Sequence, residues 1–245
     1  MTNMVALHYP KHANIKVQQA QVEAVGAEQH LIPVVVSEFA KLIVHYPIVF
    51  TRNEETDDFK CSALVGFEEG ENLFWQGGRW NGIYIPIQIE RHPFFVAQEK
   101  TGDGKAKHTI CIDSTSTAIS EDEGDAIFNS QGEATTLLKE KKQMLAQLVD
   151  GESHTAAFIT AMQKHDLITP LSLDIVFRDK SKTIVNGLYT VDEDKLAALD
   201  AQALKELQQE KWLAPAYTVV ASNAQIYNLI DRKNKAMEHG KAWFN

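Results

Sequence analysis

The run Ser62-Ala63-Leu64-Val65-Gly66-Phe67-Glu68-Glu69-Gly70-Glu71-Asn72-Leu73-Phe74-Trp75-Gln76-Gly77-Gly78-Arg79-Trp80 decides how the chain is read. An apolar stretch of strand length, Ser62–Phe67, is cut off by Glu69-Gly70-Glu71-Asn72. A second, Leu73–Trp75, is cut off by Gly77-Gly78. Val, Leu, Phe and Trp suit a pleated, half-buried surface, whereas Gly and Asn tolerate the positive φ of tight turns. The rhythm continues outward. Ile48–Thr51 precedes the run, and Ile83–Glu90, Phe94–Gln98 and Thr109–Asp113 follow it, with Asn81-Gly82 and Gly102-Asp103-Gly104 as further turns. Strands spaced by roughly 8–12 residues with short connectors predict an antiparallel meander rather than βαβ units. Pro86 makes Ile83–Glu90 an edge strand or a bulge.

Helical spacing frames this β-rich part. Phe39, Leu42, Ile43 and Tyr46 share one helical face, and Pro47 stops it. Residues 1–30 are polar and read as a loose arm or an edge segment. Downstream, the acidic loop Glu121-Asp122-Glu123-Gly124-Asp125 leads into a stripe of Leu137, Leu138, Met144, Leu145 and Leu148, with Gly151 as its C-terminal stop. Ser153 is expected to cap a second helix bearing Ala157, Phe158, Ala161 and Met162. Leu173–Arg178 and Thr183–Val191 read as a hairpin, too small a sheet to stand alone. Asp192 and Asp200 are expected N-caps of short helices carrying Leu196, Leu199, Leu204 and Leu207. Near the end, Tyr217-Thr218-Val219-Val220 favours a strand in an otherwise helical segment. The expected fold class is α+β: a largely antiparallel sheet from the N-terminal half, covered by helices from the C-terminal half. Residues 31–245 are read as a single domain behind the arm.

The 245 residues are 44% hydrophobic and 23% charged, as in ordinary globular domains. A chain of this length buries about 70% of its unfolded surface, so it needs no metal or disulfide to fold. Against 24 Lys and Arg stand 33 Asp and Glu, a net charge of −9, which argues against a nucleic-acid partner. The basic cluster Lys139, Lys141 and Lys142 is read as a solvated helix face. Cys61 and Cys111 lie in apolar runs and are read as buried free thiols, although a single disulfide is arithmetically open. No run approaches the roughly 18 apolar residues of a membrane span, and no leader-like segment opens the chain, so a cytoplasmic protein is expected.

Signatures of known chemistry are missing. There is no Gly-x-x-x-x-Gly-Lys-Ser/Thr and no Gly-x-Gly-x-x-Gly. None of the nine histidines begins a His-x-Asp/Glu pair, and His-Glu-x-x-His and zinc-spaced cysteines are absent. No cofactor and no metal is called for. Gly151-Glu152-Ser153-His154-Thr155 resembles a nucleophile elbow, but Thr155 stands where the turn needs glycine, and a helix cap accounts for Ser153 better. Asp113 and the acidic loop lack the alternating ligands of a calcium loop and read as solvated.

One stretch stands apart. Residues 71–95 hold two Trp, one Tyr, three Phe, two Arg and a His. Aromatics give large contact area at low entropy cost, and Arg gives planar, directional donors. The candidate ligand- or partner-binding residues are therefore Glu71, Asn72, Trp75, Arg79, Trp80, Tyr84, Arg91 and His92. The competing reading is a sheet core in which Arg79 and Arg91 pair structural carboxylates such as Glu90.

The chain resembles the bacterial SapC-like family, named for a surface-layer gene system. The resemblance is carried by Pro33 with Glu38-Phe39, Tyr46-Pro47-Ile48-Val49-Phe50, Gly70-Glu71-Asn72-Leu73-Phe74 and Gly78-Arg79-Trp80. It continues through Tyr84-Ile85-Pro86, Arg91-His92-Pro93-Phe94, Ile112-Asp113, Gly187-Leu188-Tyr189, Val191-Asp192-Glu193 and Trp212-Leu213, over roughly residues 31–230. The resemblance implies no reaction. It implies neighbours in the genome such as TonB-dependent receptors, cupin-like proteins and tryptophan-halogenase-like flavoproteins, and hence an accessory role. One departure stands out: Tyr217-Thr218-Val219-Val220 replaces a Tyr-Ala-His-Leu found in relatives.

Three functions follow in order. The first is an accessory or binding protein that holds a protein partner or a small ligand. The second is an enzyme acting on a small or peptide substrate through Glu71, Arg91 and His92. The third is a component of the surface layer.

Overall fold

The computed structural model describes residues 3–100 and 106–242, so the expected turn at Gly102-Asp103-Gly104 lies outside the described residues. These residues form two compact units. One takes its residues from 3–25, 77–80, 87–100 and 106–150, and the other from 26–76, 81–86 and 151–242. Strands and helices are numbered along the whole chain.

In the first unit, β8 (Phe94–Lys100) and β9 (Ala106–Asp113) form an antiparallel hairpin, and β1 (Met4–Ala6) adds to the other side of β9. Phe94 faces Ile112 across that hairpin, and both are fully buried. A smaller sheet sets β2 (Lys16–Val17) between β10 (Ile119–Ser120) and β11 (Asp125–Ala126). Gly124 closes the acidic loop onto β2: its φ is +102°, and a Cβ there would meet the Val17 carbonyl at 2.5 Å. Val17, Val22 of α1 (Gln19–Ala24), Ile127, Leu138 and Leu145 complete the core around Phe94 and Ile112. Residues 3–25 thus supply an edge strand, a central strand and a short helix, anchored by Val17 and Val22.

In the second unit a five-stranded antiparallel sheet runs in the order β12 (Ile168–Val176), β13 (Lys182–Val191), β4 (Ile48–Arg52), β5 (Phe59–Leu64), β3 (Leu31–Pro33). The C-terminal hairpin is completed by the N-terminal strands, because Leu188 and Tyr189 pair with Thr51 and Phe50. A 3-10 turn, Val36–Glu38, runs into α2 (Phe39–Leu42). Among the described residues four helices follow β13: α5 (Glu193–Ala197), α6 (Ala201–Gln209), α7 (Leu213–Ser222) and α8 (Gln225–Ala242). Helix α7 packs against β13, β4 and α2. Asp192 and Asp200 cap α5 and α6, accepting from the Lys195 and Ala203 amides at 3.0 and 2.8 Å. The fully buried Phe158 lies 5.8 Å from Phe39 and 6.2 Å from Phe50.

The chain leaves the second unit after β6 (Trp75–Gln76) and enters the first at Gly77, which leads into β7 (Arg79–Trp80). It returns for residues 81–86 and departs again at α3 (Ile87–Glu90). Helix α4 (Thr136–Lys164) begins in the first unit and ends in the second.

The α+β class with antiparallel sheets is what the structure has, but four local expectations are corrected. Ile83–Glu90 is a loop followed by the short helix α3, which buries Ile87 and Ile89, and not a strand. Gly151 does not stop a helix and Ser153 does not cap one: α4 runs through both. Tyr217-Thr218-Val219-Val220 lies inside α7, where Ala216, Val219 and Ser222 make a buried face at helical spacing. Tertiary burial there overrides the β preference of Thr and Val. Lys141 is not solvated: it shares the buried face of α4 with Leu138 and Leu145, is 2% exposed, and its ammonium donates to the Glu90 carbonyl. Burial pulls its pKa down. Cys61 and Cys111 are buried and free, and burial pushes the Cys61 thiol far up. No helix among the described residues is long and apolar enough to cross a membrane.

Candidate functional site

The eight candidate residues fall in both units. Glu71, Asn72, Trp75 and Tyr84 belong to the second, and Arg79, Trp80, Arg91 and His92 to the first.

In the second unit Asn72 is buried and acts on backbone. Its Oδ1 accepts from the Phe74 amide at 2.8 Å and its Nδ2 donates to the Gly26 carbonyl at 2.7 Å. Glu71 accepts from the Phe67 amide at 2.9 Å and from Lys233 Nζ at 2.5 Å. That ammonium loses hydration by burial, yet Glu71 and Glu68 hold its pKa above the usual value. Tyr84 is fixed twice: its hydroxyl donates to Glu38 Oε1 at 2.9 Å, and its carbonyl accepts from the Tyr46 hydroxyl at 2.5 Å. The Lys41 ammonium sits 5.3 Å above its ring. The Asn81 amide donates to the Phe74 carbonyl at 2.6 Å, bringing the loop 81–86 beside the start of β6 and Trp75. On that loop Ile83 is 85% exposed.

In the first unit Arg91 is buried. It donates to Gln88 at 3.1 Å and to the Phe94 carbonyl at 2.8 Å, with its guanidinium 4.1 Å over the Phe95 ring. His92 places Nδ1 2.9 Å from the Ile89 carbonyl and meets Phe95 edge-on at 5.3 Å. Burial lowers its pKa, the Ile89 carbonyl opposes that, and the Arg91 charge adds to the lowering. The Trp80 amide donates to Glu23 Oε2 at 2.9 Å, and Trp80 is buried. Arg79, in contrast, is exposed. The two arginines therefore divide: one belongs to the interior and one to the surface.

Several residues of note lie outside the eight candidates read from the sequence. Glu38 is fully buried, accepting from Tyr84 and from the Val35 amide at 3.2 Å. Its signal was a lone carboxylate in the apolar run Val34–Phe39. His45 and Arg232 gather on Phe74: the guanidinium stands 4.1 Å over its ring, and the His45 ring centroid is 6.2 Å from it. Arg232 had no sequence signal, because 158 residues separate it from Phe74. A groove of about 520 Å³ lies along Ala157, Ala161, Lys164, Glu206 and Trp212, with Lys164 and Glu206 paired across it. Among the described residues no group of His, Cys, Asp and Glu could hold a metal ion.

Fold and residues define an antiparallel α+β protein with two separately cored units. The chain belongs to the SapC family, whose family model, SapC, matches residues 7–229. No curated protein and no solved structure matches it.

Proposed function

We propose that this protein is an accessory binding protein of a SapC-type system, and that it docks a protein partner through the loop 81–86 with Ile83 as the anchor. The observation that carries the reading is the contrast within that loop. Ile83 is 85% exposed, whereas Tyr84 beside it is held through its hydroxyl by Glu38 and through its carbonyl by Tyr46. Burying such a side chain contributes about 2 kcal/mol. A loop already fixed at the next residue loses little entropy on binding. Trp75, brought beside the loop by the Asn81–Phe74 hydrogen bond, adds aromatic area. Asn72, Glu71, Arg91 and His92 hold backbone and neighbouring side chains in place. The family resemblance supplies candidate partners, a flavoprotein or a receptor fragment.

The test is a tagged pull-down from the native lysate with wild type, Ile83→Asp and Ile184→Asp as baits. Ile184 is 63% exposed on the β12–β13 hairpin and serves as the control. A single stoichiometric partner with wild type and Ile184→Asp, absent with Ile83→Asp, is the expected result. Equal recovery on Ile83→Asp, or bare protein from every bait, overturns the reading.

A further inference from the structure

The groove of about 520 Å³ in the second unit is open to solvent and falls within the range of small-molecule sites. Ala157 and Ala161, one turn apart on α4, line it with side chains too short to fill it. Trp212 also lines it and is held from two directions. Its ring meets Phe158 at 6.0 Å, and its indole N–H donates to Glu210 Oε2 at 3.0 Å. A ring fixed in this way loses little entropy on binding. The rest of the lining is mostly charged. Glu206 and Glu210 stand one turn apart at the C-terminal end of α6, where like charges repel and the helix dipole adds to the negative potential. Lys164 pairs with Glu206 and, with a smaller through-space contribution from His165, lowers its pKa. One ammonium thus faces two carboxylates, since Lys205 and Lys211 adjoin these residues in the chain but do not line the groove. Among the described residues, Glu206 Oε2 and Glu210 Oε1 accept no hydrogen bond.

We infer that this groove binds a guanidinium monocation, stacked on the Trp212 indole with its N–H groups toward Glu210. Among aromatic side chains Trp attracts a cation most strongly, and a planar guanidinium lies flat on it while presenting a fork of donors to a carboxylate. Hydrogen bonds from a charged donor to a charged acceptor are about twice as strong as neutral ones. The charge balance selects the ligand class. With Glu206 answered by Lys164, one carboxylate is left in excess, which suits one positive charge and disfavours an anion. Two sources share this chemistry: an arginine side chain displayed by a protein, and a free guanidino compound. The site does not rest on the docking role of Ile83, and either can fail alone.

Titration of the ¹⁵N-labelled protein with butylguanidinium and with acetyl-arginine amide, followed at the indole Nε1–H resonance of Trp212, tests it. Trp212→Phe assigns that signal. Expected is a saturable shift with a Kd of about 1 mM or tighter for at least one of the two cations, and no comparable shift with the neutral isostere butylurea. Glu210→Gln, which keeps an acceptor for the indole, is expected to bind at least about threefold more weakly. Asp174→Asn, an equal loss of charge at an exposed strand position, is expected to bind as wild type does. Tighter binding of acetyl-arginine amide assigns the site to a protein side chain, and tighter binding of butylguanidinium to a free compound. Should Glu210→Gln fail to fold, Lys164→Met decides: freeing Glu206 is expected to tighten binding about twofold, and unchanged or weaker binding overturns the assignment. A non-saturable response to both cations, an equal response to butylurea, or equal affinities in Glu210→Gln and wild type overturns it as well.

Discussion

Tyr84 shows how one hydroxyl can matter more than its size. Glu38 is wholly buried, and a carboxylate out of water needs donors. Tyr84→Phe removes one of them and is expected to cost about 1–3 kcal/mol, several degrees in Tm for a chain of this length. An unchanged Tm in a thermal melt contradicts that role. His92 gives a pH dependence. Its folded pKa lies below 6.5, mainly through burial. The unfolded chain therefore takes up the proton first as pH falls, so stability is full above about pH 6.5 and declines below it toward the folded pKa. His92→Gln is expected to shrink the Tm difference between about pH 7.5 and pH 5.5 without abolishing it, since His12 and His45 are shifted the same way. An identical difference in variant and wild type refutes the assignment. Residue types in 71–95 were legible in the sequence, but the fates of Arg79 and Arg91 were not. Arg91 turns inward because the Phe94 carbonyl three residues on is offered to it, and backbone geometry of that kind leaves no mark in composition.

At the scale of elements, α4 shows where local rules mislead. Glycine weakens a helix by about 1 kcal/mol relative to alanine, so Gly151 read as a terminus. It lies mid-helix because the helix passes so close to Val35 that a Cβ would stand 2.8 Å from the Val35 side chain. Gly151→Ala is accordingly expected to destabilise by about 1–3 kcal/mol despite the gain in helix propensity. Val35→Ala in the same chain should recover part of that loss, because it removes both γ-methyls. Additive effects in denaturant melts, or a stabilised Gly151→Ala, contradict this account. The caps were legible because their chemistry is local: Asp192 and Asp200 bond amides three residues ahead. Asp200→Ala is expected to cost about 1 kcal/mol. Tyr217–Val220 was not legible, since its helical state depends on the sheet against which α7 packs.

For the whole molecule, alternating runs and turn punctuation sufficed for an antiparallel α+β class. They could not reveal that the strands divide between sheets of two units, nor that the C-terminal hairpin extends the sheet of β3, β4 and β5. Those pairings join residues more than a hundred positions apart, as Tyr189 with Phe50. The binding role proposed for this SapC-family chain rests on the most exposed large apolar side chain the structure describes, set beside one of its most firmly held residues. Isothermal titration of the recovered partner against wild type, Ile83→Asp and Ile184→Asp tests that role most directly. Binding at least about tenfold weaker for Ile83→Asp, equivalent to about 1.4 kcal/mol, with Ile184→Asp and all three Tm values unchanged, is the predicted result. Affinities for wild type and Ile83→Asp within about twofold of each other contradict it.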